Sequence, residues 1–180
     1  MTNPRPWFAA TTLLVGSLVL PSIAGAATLP VKIDAFEGEV VQVSGTTHSG
    51  VLLGKALPSG VQVKTGRDGR VDLSLSGVPT LRVGNEADVL LHSMEQNVLR
   101  IRIATGALHV DTRAPAAGAI KSRDVRLNAG DLRLRIANAE AWVEVSDQSG
   151  QVCLIAGVVE AQQPTGAVRL DIAGQCLRQT

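Results

Sequence analysis

Alternation of apolar and polar residues with a period of two runs through most of this chain and limits the folds open to it. Arg70-Val71-Asp72-Leu73-Ser74-Leu75-Ser76 puts Val71, Leu73 and Leu75 on one side and polar groups on the other. Leu99–Ile103, Leu132–Ile136 and Val168–Ile172 repeat the pattern. Shorter instances include Val40–Val43, Val61–Val63, Leu81–Val83, Val89–Leu91, Leu108–Val110, Val125–Leu127, Val143–Val145 and Val152–Val159. Successive side chains of a strand point to opposite faces, so each run has one side for a core and one for water. Beyond Ala27 no window carries a 3.6-residue apolar stripe, so an all-β fold nearly free of helix is expected.

Glycine marks the corners. Gly38, Gly60, Gly69, Gly106, Gly130, Gly157 and Gly166 each stand just before an alternating run, where tolerance of positive φ suits a change of direction. Their spacing follows no fixed interval. That argues against a solenoid of uniform coils and for a rolled β-sandwich or irregular solenoid-like stack. Asp68-Gly69 reads as a tight turn, and Ala114-Pro115-Ala116-Ala117-Gly118 as a loop inside one domain.

The N-terminus reads differently. Arg5 precedes Trp7–Leu20, an uncharged apolar run of 14 residues; Pro21 follows, then the small residues Ala24-Gly25-Ala26. This is the pattern of a secretory signal peptide over residues 1–26, cleaved after Ala26. The run is shorter than the ~20 apolar residues of a spanning helix, and the processed form is expected not to span a membrane. Residues 27–35 then read as a linker and 36–180 as the β domain, in a periplasmic or secreted protein. Of 17 Lys+Arg and 16 Asp+Glu, cleavage removes only Arg5, which leaves 16 of each. With no net field and only Phe36 and Trp142 as rings, nucleic acid is not an expected ligand.

Cys153 and Cys176 are the two cysteines. An even count in an exported chain points to a disulfide that fastens the last strand. Their spacing fits neither C-x-x-C nor a zinc pattern, and His48, His92 and His109 offer no local ligand spacing. No metal or cofactor is expected. His109 and Asp111 share a strand face, and Ser93 is a conceivable third member of a hydrolytic triad. No nucleophile elbow or phosphate loop supports that reading, and a solvated strand is favoured. Glu37 with Glu39, and Glu140 with Glu144, are read as surface carboxylates, because a sugar cleft wants more rings. The arginines are more informative. Arg100 and Arg102 share the outward side of one run, Arg133 and Arg135 that of another, and Arg82, Arg123 and Arg126 are candidates to join them. Stacked strands would gather these guanidinium groups into a ridge that pairs with carboxylates or phosphates. The competing reading is a solubilising face answered by the chain's own acids, such as Asp72 and Asp131.

Val63-Lys64-Thr65-Gly66-Arg67-Asp68-Gly69-Arg70-Val71-Asp72-Leu73-Ser74-Leu75 resembles the FecR domain family. Leu81-Arg82-Val83, Ala87–Leu91, Leu99–Ile103 with Thr105-Gly106-Ala107-Leu108-His109-Val110, Val152–Glu160 and Leu170–Gln175 are similar to its later segments, in order. The resemblance covers about Phe36 to Leu177. It implies an extracytoplasmic all-β interaction module without catalytic residues, here without the family's cytoplasmic anti-sigma part. The expected function is that of a non-enzymatic protein-interaction or signalling accessory of the bacterial envelope, with an envelope protein as partner. The alternative is a binder of an anionic envelope polymer through the arginines, and a small hydrolase built on His109 and Asp111 is third.

Overall fold

A computed structural model describes residues 31–75, 78–95, 98–113, 124–147 and 149–179. The signal peptide, Arg123 and the 114–118 loop lie outside the described residues. Within them the chain is all-β, sixteen strands with no helix among the described residues. The strands form two sheets. The first runs β4 (Ala56–Leu57), β1 (Val31–Glu37), β6 (Arg70–Leu75), β7 (Val78–Val83), the second half of β9 (Val98–Asp111), β12 (Glu140–Ser146), β13 (Ser149–Ala156) and β16 (Cys176–Gln179). The second runs β3 (Thr47–Gly50), β2 (Val40–Ser44), β5 (Val61–Thr65), β8 (Asp88–Glu95), the first half of β9, β10 (Asp124–Ala129), β11 (Leu132–Ala137), β14 (Val159–Gln163) and β15 (Gly166–Leu170). All pairings are antiparallel except β9 with β10. The long strand β9 belongs to both sheets and joins them into one hydrogen-bonded network.

The alternation read from the sequence is what closes this structure. On the inner face of the first sheet lie Val71, Leu73, Leu81, Val83, Leu108, Val110, Val143, Val152 and Leu154; Val63, Val89, Ile101, Ile103, Val125, Leu127, Leu134 and Ile136 line the inner face of the second. They form a single core cluster. The domain begins earlier than residue 36. Val31 and Ile33 are buried in β1, paired with Leu75 and Leu73 of β6, so residues 31–35 are core strand and not linker. Burying side chains of this size contributes about 1.5–3 kcal/mol each, too much for a segment outside the domain.

Gly106 shows why the glycines matter. It sits inside β9, at the crossing from the second sheet to the first, with φ 90°. A Cβ there would meet Ala87 Cα and Cβ at 2.5 Å. Gly157, with φ 84°, is packed in the same way against Ala139.

These two glycines belong to a repeat hidden from glycine spacing. The Thr65 amide donates to the Ala87 carbonyl at 3.0 Å, and the Ala87 amide donates to Thr65 Oγ1 at 2.8 Å. Thr112 and Ala139 make the same exchange at 2.9 and 3.0 Å. Each alanine follows a residue in the left-handed region, Glu86 at φ 49° and Asn138 at φ 52°. The hairpin inserted between threonine and alanine lies on the first sheet in one copy (β6–β7) and on the second in the other (β10–β11). The corner therefore recurs with its sheets exchanged.

Candidate functional site

The second sheet gathers most of the arginine ridge. In β9, β10 and β11, Arg100, Arg126 and Arg135 stand in one cross-strand row, and Arg102, Asn128 and Arg133 in the next. Inward neighbours such as Ile101, Leu127 and Leu134 are buried, so the alternation itself turns the polar members outward. Like charges facing each other across strands repel, and the first row is balanced by acids. Arg135 donates to Asp124 Oδ2 at 2.9 Å and to Glu160 at 3.2 Å. Both contacts hold its guanidinium pKa above the usual arginine value, the Asp124 hydrogen bond most strongly. Arg126 lies 4.0 Å from Asp124. Arg100, Arg102 and Arg133 have no acidic partner among the described residues. The acids that answer the second-sheet arginines are thus Asp124 and Glu160, while of the two expected acids Asp72 answers Arg82 and Asp131 pairs with none of them among the described residues.

Shallow grooves cross this face. One of about 600 Å³ lies over Arg100, Arg126, Arg133, Arg135, Glu160 and Arg169, and one of about 590 Å³ over Arg102, Asn128, Arg133 and Gln162. A third, of about 470 Å³, joins Leu90 and His92 to Arg100 and Arg102. Asn128 borders all three. No Phe, Trp or Tyr stands on the outer face among the described residues, since Phe36 is on β1 and Trp142 on β12 of the other sheet.

Arg82 does not join them. It lies on β7 of the first sheet and donates from Nε to Asp72 at 2.8 Å, which raises its pKa, chiefly through that hydrogen bond. Its separation from Arg100 was not legible because periodicity assigns a face within a strand but not which sheet a strand joins. His109, opposite Arg82 in register, pairs through Nε2 with Glu140 at 2.8 Å. Arg113 bridges Glu140 and Asp111 at 2.5 and 2.7 Å. Its hydrogen bond holds the Asp111 carboxyl below the usual carboxylate range against the opposing effect of burial. Asp111 is therefore engaged by Arg113, and Ser93 is on β8 of the second sheet, so the triad is not assembled. Cys153 and Cys176 face each other across β13 and β16, joined at 2.04 Å with Cα atoms 4.0 Å apart. The expected disulfide is present and fastens the last strand. Among the described residues no group of three or more His, Cys, Asp or Glu is placed to hold a metal ion.

One feature escaped the sequence reading. Val51-Leu52-Leu53-Gly54-Lys55 follows the edge strand β3, and Leu52 and Leu53 are 63% and 64% exposed. The Lys55 amide donates to the Leu52 carbonyl at 3.2 Å, and Gly54 takes φ 71° at the third turn position. Backbone bonds from Gly54 to Ile33 and from Ile33 to Lys55 hold this tip against β1. The signal was a break in alternation: three apolar residues in a row ahead of a turn glycine.

The fold and its surface define an all-β, two-sheet protein with a basic outer face and open strand edges. Among solved structures it is similar to a proposed anti-sigma factor from Parabacteroides distasonis ATCC 8503, crystallised at 1.65 Å resolution. The TM-score is 0.50 with 11% identity, over 66% of this chain and 59% of that chain. A second crystal structure described in the same words, at 2.50 Å, aligns with a TM-score of 0.37 and 14% identity over 86% of this chain and 59% of that one. The first likeness is one of fold. No family model and no curated protein matches the chain.

Proposed function

We propose that this chain is an exported, non-enzymatic FecR-like module that serves as a protein-interaction or signalling accessory in the bacterial envelope, periplasmic or secreted. The observation that carries the reading is the β3 edge. Among the described residues four edge strands end the two sheets. Three are guarded: β4 has two residues, β16 is held by the disulfide and carries Arg178, and β15 carries Arg169. β3, Thr47-His48-Ser49-Gly50, has no Lys, Arg, Asp, Glu or Pro, and no described strand pairs with its outer side. An unguarded edge offers backbone donors and acceptors for strand addition by a partner. Leu52 and Leu53, on a turn whose backbone is hydrogen-bonded to β1, supply the apolar contact that main-chain pairing lacks. The ordered resemblance to the FecR family and the fold shared with a proposed anti-sigma factor support a signalling role, and the disulfide supports an oxidising compartment.

Capture from envelope extract tests it, with the wild-type chain and a Leu52→Asp, Leu53→Asp variant as baits. The proposal expects one or a few proteins retained by the wild type and lost with the variant. Identical retention by both, or none by either, counts against it.

A further inference from the structure

We infer that the outer face of the second sheet binds a phosphate-bearing polymer of the envelope, seated where Arg100, Arg102 and Arg133 surround Asn128. This site is separate from the β3 edge, and its ligand is of a different chemical class.

Charge comes first. Arg100, Arg102, Arg126, Arg133, Arg135 and Arg169 share the face, and among the described residues this group meets only Asp124, Glu160 and Asp171 as ion-pair partners. Arg100, Arg102 and Arg133 are left without one among the described residues. Geometry comes next. Arg102 and Arg133 flank Asn128 in register, two strands apart, a backbone separation of about 9.6 Å at the usual ~4.8 Å strand spacing. Arg100 stands two residues along β9, about 6.8 Å away at ~3.4 Å per residue. Long side chains from both flanks can reach one point above β10. A tetrahedral phosphate presents acceptor oxygens on several sides, out of any one plane, and suits donors that converge from different directions.

The missing feature decides between ligand classes. Protein interfaces concentrate binding in buried aromatic or arginine anchors set in an apolar core. Among the described residues this face has no Phe, Trp or Tyr, and its grooves offer scattered aliphatic groups such as Leu90, Ala167 and Val168 beside the imidazole of His92. Nor do the described residues offer a Phe, Trp or Tyr platform on which successive nucleobases would stack. A hydrated, repeating anion fits the face better than a folded partner or single-stranded nucleic acid.

Long-chain inorganic polyphosphate, poly-L-glutamate, polygalacturonate and single-stranded DNA of matched charge would be titrated against the full chain at two salt concentrations. Polyphosphate is expected to bind tightest, with affinity falling as salt rises. Arg102→Gln with Arg133→Gln should weaken it by about ten-fold per arginine. Arg82→Gln, on the other sheet, should leave it within about two-fold, since its charge is spent on Asp72. These are exposed substitutions to a neutral side chain, so thermal midpoints should match the wild type. Equal or tighter binding of any of the other three polymers overturns the inference. So does absence of polyphosphate binding, or an equal loss in Arg82→Gln. Loss of the β3 partner in the capture experiment leaves this result unaffected.

Discussion

Gln62 and His109 occupy the same place in the two copies of one corner. Each lies three residues before the threonine that binds the corner alanine, and each side chain reaches the carboxylate that follows that alanine. Gln62 Nε2 donates to Asp88 Oδ1 at 2.5 Å, and His109 Nε2 meets Glu140 Oε1 at 2.8 Å. Their backbone partners correspond as well, Leu90 for Gln62 and Trp142 for His109. The histidine therefore fills a structural slot for which glutamine is the chain's own alternative.

His109→Gln should accordingly fold with stability within about 0.5 kcal/mol of the wild type, while His109→Ala should lose about 1 kcal/mol with its bond to Glu140. Urea denaturation of the three proteins decides it; a glutamine variant as weak as the alanine variant would contradict the equivalence.

Thr112→Val and Thr65→Val keep side-chain shape but leave a buried alanine amide without its acceptor. Each is expected to cost about 1–3 kcal/mol. The two positions should respond alike in denaturation midpoints, because the geometry is alike.

Gly106→Ala and Gly157→Ala combine positive φ with overlap on Ala87 and Ala139. Gly45→Ala, at φ 59° with nothing within 4 Å of the added Cβ, carries the backbone penalty alone. The first two should fall by well over the ~1 kcal/mol expected of the third. Melting temperatures of the three variants test the order.

Strand existence, facing and the disulfide were legible because they follow from local period and cysteine count. Ile101, Leu127 and Leu134 could be assigned inward from their own neighbours. The corner repeat was not legible: its residues, Thr65, Glu86, Ala87 and Gly106, are separated by hairpins of unequal length, and a threonine hydroxyl on a distant amide leaves no periodic trace. Arg82 was misplaced for a related reason. Which sheet a strand joins depends on long-range pairing, and β6 and β7 insert on the first sheet between two strands of the second. The β1 start was missed because Val31-Lys32-Ile33 is too short a run to stand out beside Pro30.

Reduction of Cys153–Cys176, or Cys153→Ser with Cys176→Ser, releases a cross-link of sequence separation 23. The chain-entropy model gives about 3 kcal/mol for such a loop. Hydrogen exchange should show the loss first in β16, which among the described strands pairs only with β13. Uniform loss through both sheets would contradict that role.

Asp111 gives a pH signature. Its pKa is lowered in the folded chain, chiefly by the Arg113 hydrogen bond. Its contribution to stability is therefore present above the unfolded carboxylate value, ~3.9, and is lost as pH falls through the lower folded value. Arg113→Met should flatten this acid limb and bring the Asp111 titration, followed by NMR, up towards the ordinary range. An unchanged titration would mean that Arg113 is not its cause.

A photo-crosslinking side chain placed at Leu53 in cells that export the protein examines the docking edge directly, with Glu144 on the other sheet as control site. The account predicts a discrete adduct with one envelope protein from position 53 and none from position 144. No adduct at 53, or the same adducts from both positions, would contradict it.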